Sequence, residues 1–178
     1  MSPPPTELLL FLREVREARA LPAVDAHARQ LATVIEQAVQ GRYVTRTETA
    51  LGPVYALGLR GRRAVGLKGV YRPSEQALLN AASLHVVRRS LAQDHVIEDA
   101  GHRFAFRARK GDASFLFVAR YSGFTREGLK RLVLSLKADT PQVHLRVYVE
   151  QSALPARCEG PPLPPQVRID FYPIPHLH

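Results

Sequence analysis

The chain has 178 residues, 46% of them apolar, which allows one large globular domain or two small ones and excludes wholesale disorder. A single cysteine, Cys158, excludes an intrachain disulfide, no apolar run approaches the roughly 18 residues needed to span a bilayer, and Met1–Pro5 lack the basic and apolar regions of a secretory leader, so a cytoplasmic, nucleoid-associated protein without a membrane partner is expected. Lys and Arg total 25 against 16 Asp and Glu, a net charge of +9, and only four of the 25 are Lys, so 21 are Arg, whose flat fork of donors suits phosphate oxygens and guanine edges.

Pro3–Pro5 form a stiff leader, and Thr6 is positioned to cap a helix over 6–19. Leu8, Phe11, Leu12 and Val15 follow at i, i+3, i+4 and i+7, the spacing of one buried helical face. Leu21-Pro22 breaks that helix. The spacing of Leu31, Val34, Ile35, Ala38 and Val39 predicts a second helix over 23–40, ended by Gly41. Strands at 42–46 and 54–57, joined by a turn at Leu51-Gly52-Pro53, read as a β-hairpin. A basic, glycine-rich stretch with Arg60, Arg62 and Arg63 follows, and 64–73 reads as a linker.

Ser74 with Glu75 starts a third helix, to about residue 93. Strands are expected at 95–98, 102–109 and 114–121, with Gly111-Asp112 as the turn between the last two. A fourth helix, 126–138, carries Leu129, Leu132, Val133 and Leu136 at helical spacing, and a strand runs over 143–150. The tail from Leu154 holds seven prolines. Its segment 155–165 is expected to be extended, and 166–172, with Val167, Ile169 and Phe171 alternating with polar residues, is expected to return as an edge strand.

Helix, tight break, helix and basic hairpin is the order of a winged helix. In such modules the second helix enters the major groove and the hairpin touches the flanking backbone. On the helix 23–40, Arg29, Gln30, Thr33 and Gln37 lie opposite the apolar stripe. Arg can read guanine and Gln adenine in bidentate fashion. Arg42 and Arg46 share one face of their strand, being an even number of residues apart, and Arg60, Arg62 and Arg63 follow the return strand, so these five are candidates for neutralising phosphates. Ordinary solvated residues on an amphipathic helix, and a charged edge strand, are the competing readings.

The runs Gly41-Arg42-Tyr43-Val44-Thr45-Arg46, Gly52-Pro53-Val54-Tyr55-Ala56-Leu57 and Gly61-Arg62-Arg63-Ala64 resemble the wing of bacterial winged-helix proteins of the replication-relaxation family. Leu84-His85-Val86-Val87-Arg88-Arg89-Ser90-Leu91 is similar to the helix that follows the wing there. The resemblance covers about residues 6–150. It implies DNA binding in a plasmid, phage or mobile-element setting, and a second half similar to a degenerate restriction-endonuclease-like fold. With one helix before the recognition helix the usual three-helix module is short by one, which leaves the missing helix to another part of the chain or to a partner.

The order after residue 74 is αβββαβ. A nuclease of that fold needs acids at the sheet centre and a Lys to position water. The strand 114–121 offers Val118-Ala119-Arg120 and no acid, while Glu98, Asp99 and Asp112 fall at strand ends or turns. Arg103, Arg107 and Arg109 share one parity and form a candidate second DNA surface, with a solvated outer sheet face as the alternative. The seven histidines are scattered, which argues against a zinc site.

The expectation is an α+β protein with an N-terminal winged helix-turn-helix in 1–66, a small αβββαβ domain in 74–150 and a Pro-rich tail in 151–178. Its partner would be duplex DNA, bound as a homodimer without cofactor, metal or catalysis. A metal-dependent nuclease using Glu98, Asp99 or Asp112 and a protein-interaction module docking through the Pro-rich tail are the alternatives.

Overall fold

The computed structural model describes residues 4–102, 105–125, 127–128, 131, 143–151 and 167–175. The chain is α+β. It divides into two compact units, the first reaching His85 and the second beginning at Val86.

The first unit opens with α1 (Thr6–Ala18), whose Leu8, Phe11, Leu12 and Val15 are buried as their spacing requires. Leu21–Pro22 is more than a helix breaker. It forms the short strand β1, paired antiparallel with Tyr55 and Val54. The helix expected over 23–40 is two helices, α2 (Ala23–Arg29) and α3 (Ala32–Gln40). The break falls at Gln30, which is extended with φ −118° and ψ 150°. Glu14 on α1 pins this corner by accepting from Arg29 Nη1 at 3.0 Å and from Gln30 Nε2 at 3.1 Å. Three helices therefore precede the hairpin, where the sequence indicated two.

The hairpin comprises β2 (Val44–Thr49) and β3 (Gly52–Leu57), and the three-stranded antiparallel sheet has the order β1-β3-β2. The central strand β3 is buried on both faces. Tyr55 points into a core with Phe11, Leu12, Leu21, Val34, Ile35 and Ala38. Its neighbours Val54 and Ala56 point the other way, onto Leu78 and Ala82 of the helix α5 (Glu75–Leu91). Period-2 alternation thus places α1 and α3 on one side of the sheet and the first half of α5 on the other. His85 of α5 also reaches the buried Asp25 of α2, Nε2 to Oδ2 3.1 Å. In the chain between β3 and α5, the basic, glycine-rich stretch forms the helix α4 (Leu59–Ala64).

The second unit carries a five-stranded mixed sheet of order β4-β5-β6-β7-β8. Its strands are β4 (Val96–His102), β5 (Ala105–Lys110), β6 (Ala113–Ala119), β7 (Val143–Val149) and β8 (Val167–Pro173). β4, β5 and β6 form an antiparallel meander, and β6, β7 and β8 are parallel. The alternation that predicted an edge strand at 166–172 corresponds to β8. One face of the sheet packs Ala105, Leu116, Val118, Leu145, Val147 and Val149 with Phe124. The other carries a row of rings in which Phe106 stacks on Phe117 and Tyr148 on Tyr172, each with centroids 5.3 Å apart, and the Arg146 guanidinium lies 3.9 Å from the Phe115 ring centre. The expected helix 126–138 lies almost entirely outside the described residues, as do the segment 155–165, Cys158 and Arg103.

Candidate nucleic-acid interface

The C-terminal helix of the three-helix arrangement, α3, turns Val34, Ile35 and Ala38 inward. Its opposite side is exposed and holds Thr33, Glu36, Gln37 and Gln40. Thr33, Gln37 and Gln40 recur at i, i+4 and i+7, one polar stripe along the helix. Gln40 and Glu36 were not singled out from sequence, although the same spacing exposes both. Arg29 and Gln30, expected on this stripe, are not part of it. They close α2 and hold Glu14, so their side chains serve the helix corner.

Arg42 was expected in a strand alongside Arg46, but it lies in the turn before β2, with φ 56°. The turn is a Schellman closure of α3. The Arg42 amide donates to the Val39 carbonyl at 3.0 Å, and the Tyr43 amide donates to the Ala38 carbonyl at 2.8 Å. An arginine therefore occupies the left-handed position that glycine usually fills. Its side chain is exposed, with no ion-pair partner among the described residues.

The chain leaving this turn is crossed closely by α4. A Cβ on Gly61 would lie 2.0 Å from the Tyr43 carbonyl oxygen, and one on Gly58 would lie 2.8 Å from that of Arg42. The Gly58 amide donates to the Tyr43 carbonyl at 2.8 Å. Glycine at these positions is a requirement of close backbone approach, which the sequence alone presents only as a glycine-rich basic stretch. The crossing fixes Arg60, which donates from Nη1 to the Gly41 carbonyl at 2.9 Å and stacks 4.7 Å over the Tyr43 ring. Arg60 thus caps the C-terminus of α3, where a cation is favoured by the helix dipole. Arg62 turns away and donates to the carbonyls of Lys68 at 3.2 Å and Gly69 at 3.4 Å. Arg63 is exposed and unpaired among the described residues.

The hairpin is short. Its tip is Ala50-Leu51, closed by the Thr49 hydroxyl donating to the Gly52 carbonyl at 2.6 Å. Arg46 pairs across the ladder with Tyr55, on the sheet face that receives the helices, and meets Glu48 at 3.0 Å. Both groups are more than half exposed, so this pair is worth little and yields readily to a phosphate. Of the arginines expected to meet phosphates, Arg42, Arg46, Arg60 and Arg63 are exposed, and of these Arg42 and Arg63 have no competing partner among the described residues.

In the second unit the expected basic outer face takes a different form. Arg107 and Arg109 share their side of β5 with Ala105, and the register sets Arg107 opposite Leu116, so they fringe the apolar core face. Arg109 donates to Glu98 at 2.6 Å across β4. Glu98 is thereby engaged by a cation, and Asp112 is exposed in the turn beside Gly111. Among the described residues no group of three or more His, Cys, Asp or Glu side chains is arranged to hold a metal ion. No helix among them is long and apolar enough to cross a membrane.

Comparison with protein-family models, with curated proteins and with solved structures gave no match to this chain.

Proposed function

We propose that the first unit is a winged-helix module that binds duplex DNA, with α3 in the major groove and the β2–β3 hairpin as its wing. The observation that carries this reading is the order helix, short strand, helix, helix, hairpin around a β1-β3-β2 sheet, with the third helix presenting an unengaged polar stripe outward. Gln37 and Gln40 have the donor–acceptor pair that matches an adenine edge, Glu36 can accept from a cytosine amino group, and Thr33 suits either base. Arg42 and Arg63 supply phosphate contacts next to that stripe, with Arg46 available once its exposed pair with Glu48 opens. The net charge of +9 adds a field that draws a polyanion.

The proposed setting is replication, regulation or maintenance of plasmid or other mobile DNA, as the replication-relaxation resemblance implies. We take the second unit as a non-enzymatic scaffold, because its central strand β6 runs into Val118-Ala119-Arg120 without an acid and Glu98 is held by Arg109.

Fluorescence anisotropy on labelled duplexes at several salt concentrations tests the assignment with two variants. Arg42→Ala/Arg63→Ala removes two phosphate contacts and should flatten the log–log salt slope by about 2, equally for every sequence. Thr33→Ala/Gln37→Ala/Gln40→Ala should keep the slope and narrow the difference between preferred and random duplex. Wild-type affinity and slope in both variants would rule out α3 and its flank as the contact surface.

A further inference from the structure

The sheet of the second unit ends at β8, and no described residue pairs with its outer edge. The ladder shows which groups that edge presents. The Ile174 amide donates to the Val149 carbonyl at 2.9 Å, and β8 runs parallel to β7 in unbroken register from Val143–Val167 to Val149–Pro173. Alternate residues of a strand bond to the same neighbour. Arg168, Asp170 and Tyr172 therefore turn their main-chain groups to β7, and Val167, Ile169 and Phe171 turn theirs outward. Pro173 also faces outward, at the one kind of strand position where its missing N–H costs nothing within the sheet.

We propose that β8 pairs antiparallel with β8 of a second copy of this chain, joining two five-stranded sheets into one. The partner is identified by self-complementarity. A twofold axis perpendicular to the sheet keeps each residue on its own face, so one residue of β8 must sit opposite itself. Centring on Arg168 sets Arg against Arg, and centring on Asp170 sets Asp against Asp, both unfavourable for directly opposed positions. Centring on Ile169 sets Arg168 opposite Asp170 of the second copy on one face, and Val167 opposite Phe171 of the second copy on the other. The outward main-chain groups of Val167, Ile169 and Phe171 then meet one another. Arg168 is well placed for the exchange, with its side chain 73% exposed beside Asp170 on the same face.

This inference is independent of the DNA reading and is tested without DNA. Sedimentation of the full chain across the micromolar range is compared with Arg168→Glu and Asp170→Lys, each checked for native far-UV circular dichroism. Wild type should be a dimer. Each variant alone opposes like charges at two symmetric positions and should dissociate about tenfold to a hundredfold more readily. An equimolar mixture restores opposite charges and should dimerise again. A monomeric wild type, dimers that both variants leave unchanged, or a mixture that fails to reassociate would each overturn the proposal.

Discussion

Arg42 occupies a backbone conformation that glycine adopts freely and arginine does not. A left-handed φ costs a non-glycine residue roughly 1–2 kcal/mol. Glycine at the same place adds unfolded-state freedom worth about 0.4–1 kcal/mol against folding. The difference leaves Arg42→Gly more stable than wild type by about 0.5–1 kcal/mol. Arg42→Ala keeps the strain and should give no gain. At roughly 4–8 °C per kcal/mol for a domain the size of the first unit, the glycine variant should melt about 2–8 °C higher, followed on amide signals of α1 and α3 during heating. Both variants lose the guanidinium, so both should weaken DNA binding alike and each lower the salt slope by about 1. A gain in stability at the expense of binding is what a strained residue retained for contact predicts. Equal melting points for the glycine and alanine variants, or a lower one for glycine, would refute the strain argument. Undiminished binding in both would remove Arg42 from the interface.

Gly61→Ala puts a methyl group 2.0 Å from a carbonyl oxygen of the main chain, where no side chain can yield. It should destabilise the first unit by roughly 2 kcal/mol or more despite the better helix propensity of alanine, measured by urea unfolding. Phe11 is fully buried against Tyr55, and Phe11→Ala should cost about 3–5 kcal/mol by the same assay, with amides of α1 and β3 losing exchange protection first. The hydrogen bond from His144 holds the Asp170 carboxyl below its ordinary value of 3.8, and Arg168 adds to the effect. A carboxyl lowered in the folded state contributes stability that is complete above its unfolded pKa and is lost as pH falls through the folded one. The stability that Asp170 contributes should therefore start to fall as pH drops into the usual carboxylate range and be gone once pH has passed below the lowered folded-state value. Titration of the Asp170 carboxyl carbon by NMR should give a midpoint under 3.8 that rises in His144→Ala, and an unmoved midpoint would dismiss the His144 contact as its cause.

Legibility followed the range of the interactions. The faces of α1 and α3 and the strands of the second sheet were readable, because period 3.6 and period 2 are local properties. The α2–α3 break was not. Neither proline nor glycine marks it, and Gln30 departs from the helix where Glu14, sixteen residues earlier, takes its side chain. β1 was read as a breaker because two residues carry no period, and only pairing with β3 makes them a strand. Glycine at 58 and 61 marks only a basic, glycine-rich stretch in the sequence, whereas it records the passage of the 42–43 backbone against α4. On β5, parity correctly grouped Arg107 with Arg109. It could not say that both sheet faces are covered, since Ala105 and Phe106 are each buried on opposite sides. Of the expected contact residues, Thr33, Gln37, Arg42 and Arg63 lie exposed and unengaged, while Arg29, Gln30, Arg62 and Arg109 are held within the fold.

The most direct measurement is the equilibrium binding of the wild-type chain to a fluorescent duplex over a salt series. A winged-helix module with this charge should bind with micromolar or tighter affinity at low salt, and the logarithm of its binding constant should fall linearly and steeply with the logarithm of salt concentration. Absence of binding to any duplex at low salt would contradict the account.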